Sequence, residues 1–147
     1  MAGAGTGAGL SVTLGSIRHE VRIGRPAADV WALAGDPARL HEWFPGITDC
    51  VVEGNARTIT LGSGISMPEE ILVQDGIQRR FQYRITAPMF RHHRGTIDVV
   101  DLGDDTCLVA YSTDADPRAM ALTIGGGTAA ALDELRRQFE GASTGAD

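Results

Sequence analysis

Three side chains able to hold or move a proton occupy positions that strand alternation would turn toward the interior: Glu69, Tyr83 and His93. Glu69 opens the run EEILVQD, and alternation places it on the face of Ile71 and Val73. A carboxyl desolvated there would have a raised pKa, and could act as a general acid or base or anchor a ligand hydroxyl. The plainer alternative is a strand-end carboxylate in solvent or paired with Arg80. With Glu69 desolvated in an apolar cavity, its ionisation opposes folding, so Glu69→Gln is expected to raise the melting temperature at pH 7 and to weaken ligand binding. Tyr83 shares a face with Phe81 and Ile85, opposite Arg80, Gln82 and Arg84. Its ring belongs in a core, where its hydroxyl needs a partner that a ligand carbonyl could supply. His92 and His93 are neighbours on a strand and point to opposite faces, so they cannot chelate one metal together. With Ile97 and Val99 inward, His93 and Gly95 face in, while His92 and Arg94 face out. Imidazole titrates near neutral pH, which makes His93 a candidate for acid/base work. A histidine hydrogen-bonded at a cavity rim fits the same pattern, and a bulge at Gly95 would reverse the assignment.

Composition removes several other chemistries. All 13 basic residues are arginine, so there is no amine nucleophile and no phosphate-loop lysine. The net charge of −6, without a basic face, excludes nucleic acid as the main partner. Cys50 and Cys107 lack CxxC or Cys/His metal spacing and read as two reduced cysteines. Neither a metal nor a cofactor is called for. No apolar run is long enough to span a membrane and the opening MAGAGTGAG lacks the features of a signal peptide, so a soluble, cytoplasmic protein is expected. The sequence does not set an oligomeric state.

The elements that must position these residues follow from periodicity. Residues 1–10 and 142–147 read as low-complexity tails around one domain at 11–141. SIRHEVRIG alternates as a half-buried strand, and Pro26 then opens a short helix that Gly35-Asp36-Pro37 ends before a second short helix through Leu40. From Ile47 the pattern is β, in six runs separated by turn signals such as Asp75-Gly76 and Gly103-Asp104-Asp105. From Ala119 to Glu140 a stripe of Ala121, Gly125, Thr128, Leu132, Leu135 and Phe139 marks a long helix. Gly125-Gly126-Gly127 inside it implies a kink or room left for a ligand, since each glycine costs about 1 kcal/mol relative to alanine. The fold class is therefore α+β: a seven-stranded curved antiparallel sheet wrapped around a C-terminal helix, with two short helices between strands one and two. The gap between sheet and helix is a natural apolar cavity. Its expected lining is Trp43, Phe44, Ile71, Val73, Phe81, Ile85, Ile97, Val99, Val109 and Tyr111, with Ala121, Gly125, Thr128 and Leu132 from the helix.

The string PAADVWALAGDPARLHEWFPGI, followed by MPEEILVQD, RRFQYRI, GTIDVVDLGDDTCLVAY and LDELRRQFE, resembles the polyketide cyclase/dehydrase branch of the START-like, or SRPBCC, superfamily, over about residues 15 to 141. The resemblance implies the helix-grip fold seen in Bet v 1-like proteins, and a glutamate at the start of the Glu69 strand that faces the cavity. It also implies a small hydrophobic partner of lipid, polyketide or aromatic type. Two functions stand open: a carrier or sensor enclosing such a ligand, or a cofactor-independent cyclase or dehydratase using Glu69, His93 and Tyr83. A protein-interaction module would need an apolar convex face, and Arg80, Gln82, Arg84 and Arg94 make that face polar.

Overall fold

The structure, a computed structural model, describes residues 13–141. The segments 1–10 and 142–147, read as tails, lie outside the described residues. Strand β1 (Gly15–Ile23) leads into helix α1 (Ala27–Ala34) and a 3₁₀ turn (Pro37–Glu42). Strands β2 (Ile47–Glu53), β3 (Ala56–Leu61), β4 (Ser66–Asp75), β5 (Arg80–Ile85), β6 (His92–Gly103) and β7 (Thr106–Asp116) follow, and then helix α2 (Arg118–Arg136) with a wider last turn (Arg137–Gly141).

Local chemistry accounts for the breaks. Pro26 precedes the first residue of α1 with its φ at −57°, and Gly35 closes that helix. Asp36 then caps the 3₁₀ turn, its Oδ1 accepting from the Ala38 N–H at 3.0 Å, with Pro37 in the first position. At the β6–β7 hairpin Gly103, Asp104 and Asp105 all take left-handed backbone, the conformation that Gly and Asp tolerate best.

The sheet is antiparallel in the order β1-β7-β6-β5-β4-β3-β2. Successive hairpins build β2 to β7, and β1 returns alongside β7. Helix α1 and the 3₁₀ turn carry the chain from one edge strand, β1, to the other, β2. Helix α2 packs chiefly on β1 and β7. Phe81, Tyr83, Ile97, Val99, Val109 and Tyr111 are all buried on the inner face, as period-two alternation requires, while Ile71 and Ile85 are half-buried.

Two expectations need correction. Glu69 pairs with Ile85 and Ile71 with Tyr83, but a bulge then shifts the register so that Val73 pairs with Gln82 and Gln74 with Phe81. Val73 therefore leaves the face of Ile71, because one extra residue in β4 inverts the alternation. Gly95, by contrast, pairs regularly with Tyr83 and Thr113. A Cβ there would stand 2.5 Å from the Tyr83 ring, so glycine leaves the space across which that ring lies. The second correction concerns the triple glycine. Helix α2 runs unbroken through it, and at Gly125 the space is taken by Ile17, 2.8 Å from where a Cβ would be. Close packing of helix on strand, not a kink, is what Gly125 permits, while Gly127 stands beside Phe44 on the side where space is left, the other alternative the sequence offered.

Candidate functional site

The half of the sheet away from the β1–β7 seam is held off the helix, and a cavity of about 390 Å³ lies there. Its walls are Ile47 from β2, Ile59 and Leu61 from β3, Met67 and Glu69 from β4, and Tyr83 and Ile85 from β5. Leu40 and the segment Phe44-Pro45-Gly46 close one end, Phe90 of the β5–β6 loop another, and Met120, Thr123, Ile124 and Gly127 form the helix side. Pro45, Gly46 and Thr123 are exposed, which places the mouth between the 3₁₀ turn and the first half of α2. Almost every surface is aliphatic, aromatic or thioether. Among the described residues, the one carboxyl in the lining is that of Glu69.

Glu69 is 5% exposed, and register explains its partner: Arg57 of β3 stands directly opposite it. Arg57 is 2% exposed and donates from Nε to Glu69 Oε1 at 2.7 Å and from Nη1 to the Pro37 carbonyl at 3.1 Å. Its guanidinium lies 4.8 Å from the centroid of the Tyr83 ring and 5.2 Å from that of Phe81, close enough for cation–π attraction. Burial pushes the Glu69 carboxyl up, and Arg57 opposes that push. Burial disfavours the charge on Arg57, but Glu69 with Tyr83 and Tyr111 together outweigh it and hold the guanidinium above its ordinary value. Arg57 Nη2 is buried with no protein partner among the described residues. Glu69 Oε1 is taken by Arg57; Oε2 makes none of the described hydrogen bonds and is the oxygen left for the cavity that Glu69 lines.

Beside the ion pair, the hydroxyls of Tyr83 and Tyr111 meet at 2.6 Å. Burial pushes both phenols up, Tyr111 well above its ordinary value, so both keep their protons at any working pH. Trp43 and Phe44 pack on Tyr111 with ring centroids 6.0 and 6.2 Å away. Trp43 is 1% exposed and belongs to the core, whereas Phe44 reaches the cavity.

His93 takes a different place. Its Nδ1 accepts the Ile85 N–H at 2.9 Å, which leaves the proton on Nε2, and that atom is buried without a partner among the described residues. Burial, with His92 adding to it, pulls the imidazole down to about 4. His93 is not among the cavity's lining residues. It borders a separate polar cleft of about 410 Å³ with Arg84, Arg91 and Arg94.

Of the three residues proposed for chemistry, the structure thus brings Glu69 and Tyr83 to one cavity and leaves His93 outside it. Of the expected lining, Phe44 and Ile85 border the cavity. Trp43, Phe81, Ile97, Val99, Val109, Tyr111 and Leu132 are instead packed into the solid core, and Ala121, Gly125 and Thr128 are buried on the part of α2 that meets β1 and β7. Ile71 is half-buried against that core, and Val73 is turned away by the bulge. The reason is geometric: α2 touches one side of the sheet, so residues there fill space, and the void opens under β2 to β5. Sequence reasoning missed Arg57, Ile59, Leu61 and Met67, and the neighbouring helix stripe Met120, Thr123, Ile124 and Gly127. A signal existed for the strand. In ARTITL, Arg57 alternates in phase with Ile59 and Leu61, which places an arginine on an apolar face.

A curved antiparallel sheet that grips a long helix and leaves an apolar cavity between them defines the helix-grip, START-like class of ligand-cavity proteins. Within that class, the chain belongs to the family described as polyketide cyclase / dehydrase and lipid transport, whose model matches residues 15–140. No curated protein sequence matches it significantly. Among solved structures, it is similar to the protein XoxI from Bacillus cereus, with a TM-score of 0.80 and 22% identity over 85% of this chain and 95% of that one. A protein from Thermobifida fusca gives a TM-score of 0.73 and 28% identity over 84% and 92% of the two chains. Norcoclaurine synthase from Thalictrum flavum, solved in complex with dopamine and hydroxybenzaldehyde, gives a TM-score of 0.67 and 20% identity over 85% and 86%. At such identities the structural likeness is one of fold.

Proposed function

We propose that this protein binds a small hydrophobic molecule, of lipid, polyketide or aromatic type, in the cavity between the β2–β5 half of the sheet and α2, with Glu69 as its polar anchor. The observation that carries the reading is the cavity itself: about 390 Å³ of apolar wall with a single carboxylate, within the range of small-molecule sites. Binding is favoured over catalysis by the state of the candidate groups. His93 at about 4 is the neutral imidazole at pH 7 and stands outside the cavity, so it has neither the charge nor the place for general acid work. Tyr83 keeps its proton and is engaged with Tyr111. Glu69 is held by Arg57.

The test is extraction of copurifying ligand, with native mass spectrometry, alongside titration of the neutral fluorophore N-phenyl-1-naphthylamine. Saturable binding of one fluorophore per chain, lost when Ile124 at the cavity is replaced by Trp, is the expected outcome. No bound ligand and no saturable fluorophore binding would overturn the reading. The second reading, a cyclase or dehydratase acting on a polyketide-like substrate, has one support: Glu69 and Tyr83 share the cavity. It requires turnover that falls roughly 10²–10⁴-fold in Glu69→Gln, as for loss of a general acid or base.

A further inference from the structure

We infer that the cavity discriminates by charge: it takes an apolar molecule, preferably aromatic, whose polar end is a hydrogen-bond donor such as a phenol or alcohol, and it rejects the carboxylate of the same shape. The inference rests on the ligand-binding reading above and adds the chemical class.

A ligand in the cavity can reach few polar atoms. Arg57, the cation nearest the floor among the described residues, is not part of the lining; it lies beside Glu69, with Nε on Oε1, Nη1 on the Pro37 carbonyl and Nη2 buried without a partner among the described residues. A ligand therefore meets the acceptor side of the ion pair. Oε2 of Glu69 has no hydrogen bond from the protein among the described residues, and a carboxylate oxygen only accepts. At the rim Thr123 Oγ1 already donates to the Ala119 carbonyl at 3.1 Å, which leaves that hydroxyl as an acceptor also. The Tyr83 hydroxyl is engaged with that of Tyr111. The described lining thus offers acceptors to its contents and no charged donor.

A hydroxyl on the ligand satisfies this arrangement directly. It donates to Oε2, a charge-assisted bond of the stronger kind, among apolar walls. A carboxylate brings a second negative charge beside Oε2, where like charges repel and no cation of the lining faces them. A purely apolar molecule fits the walls but leaves Oε2 without the donor that water supplied, so it falls between the two. Phe44, Phe90 and Tyr83 supply ring faces and edges for an aromatic body. Fatty acids, the simplest apolar metabolites of suitable size, are selected against by the same logic.

The experiment displaces bound N-phenyl-1-naphthylamine from the wild-type protein at pH 7.4 with three compounds of one shape: 4-hexylphenol, hexylbenzene and 4-hexylbenzoate. The expected order is phenol, then hydrocarbon, then carboxylate, with phenol and carboxylate separated by roughly tenfold to a hundredfold, the span of one charge-assisted hydrogen bond. Equal competition by phenol and benzoate, or a preference for benzoate, would overturn the inference and leave the carrier reading standing. Failure of the fluorophore to bind at all overturns both. The double variant Arg57→Met/Glu69→Gln supplies the second measurement: its preference for phenol over benzoate should collapse to within about threefold, on the same scale of hydrogen-bond energies. Retention of the full preference would show that Glu69 does not impose it.

Discussion

Replacing Glu69 by glutamine tests the interior electrostatics most sharply, because two physical arguments give opposite signs. A carboxylate buried alone would make the substitution stabilising near pH 7, since ionisation in an apolar site opposes folding. Glu69 is not alone. Arg57, 2% exposed, donates to it at 2.7 Å, and the amide of glutamine would leave that guanidinium buried without a counter-charge. Breaking a buried pair by removing one partner costs about 3–5 kcal/mol. The amide oxygen still accepts from Nε, which retains about 1 kcal/mol, so a net loss of about 2–4 kcal/mol is expected. For a chain of this length that is a fall in Tm of about 4–16 °C. Replacing both partners by apolar residues of similar volume, Arg57→Met with Glu69→Leu, removes both desolvation penalties and should return stability to within about 1 kcal/mol of wild type or above it. The Pro37 carbonyl then loses the hydrogen bond from Nη1, which limits the gain. Thermal and urea denaturation at pH 7 of the wild type, Arg57→Met, Glu69→Leu and the double variant form a cycle in which the two single losses together should exceed the loss in the double by several kcal/mol. A Glu69→Gln protein as stable as wild type, or single-variant losses that simply add, would refute the account of a desolvated, mutually dependent pair.

Three more outcomes are expected. His93 is neutral in the fold, its imidazole pulled down to about 4 from an ordinary 6.5, so the unfolded chain takes up the proton first as the solution is acidified. The stability it contributes is whole above pH 6.5 and lost as pH falls toward 4, up to about 3 kcal/mol, so urea midpoints of wild type should drop over that window while those of His93→Gln stay flatter. Parallel pH profiles would remove that role. Tyr83→Phe strands the Tyr111 hydroxyl in the core and should cost about 1–3 kcal/mol in urea denaturation, whereas Tyr83→Phe with Tyr111→Phe should cost less than the single change, because no polar atom is left behind. Gly95→Ala places a methyl 2.5 Å from the Tyr83 ring and should lose about 1–3 kcal/mol by overpacking, a loss that Tyr83→Leu in the same chain relieves; an unchanged Tm in Gly95→Ala would contradict the close approach.

The order of elements was legible because its signals are local. RFQYRI alternates without ambiguity, Pro26 and Gly35 bracket α1, and Gly103-Asp104-Asp105 has the residues that a left-handed turn needs. The site was less legible, for reasons tied to particular residues. Ile71-Leu72-Val73 is apolar throughout, so the sequence carries no phase by which the bulge that turns Val73 outward could be seen. Arg57 is an arginine in a strand, ordinarily a solvated residue; only the β3–β4 register sets it opposite Glu69. On α2, Ala121-Gly125-Thr128 and Met120-Ile124 are adjacent stripes of one helix, and periodicity alone cannot say which packs solidly and which borders a void. That choice is made by where the helix rests across the sheet, a long-range property.

The resting place of α2 on β1 and β7 also bears on how such a protein can change over generations. Cooperative packing is concentrated in one seam, while Leu61, Met67 and Ile124 project into space that no side chain must fill. Substitutions at these positions alter the shape of the void directly and touch only the margin of the core, against which Leu61 and Met67 also pack, so they cost less stability than changes in the seam. A lineage can therefore pass from one ligand to another by single steps, each of them still folded. Arg57 and Glu69 are the exception. Because neither can be replaced alone without leaving a buried charge, the pair resists gradual exchange, and polarity at the cavity floor would drift far more slowly than the contour of its walls.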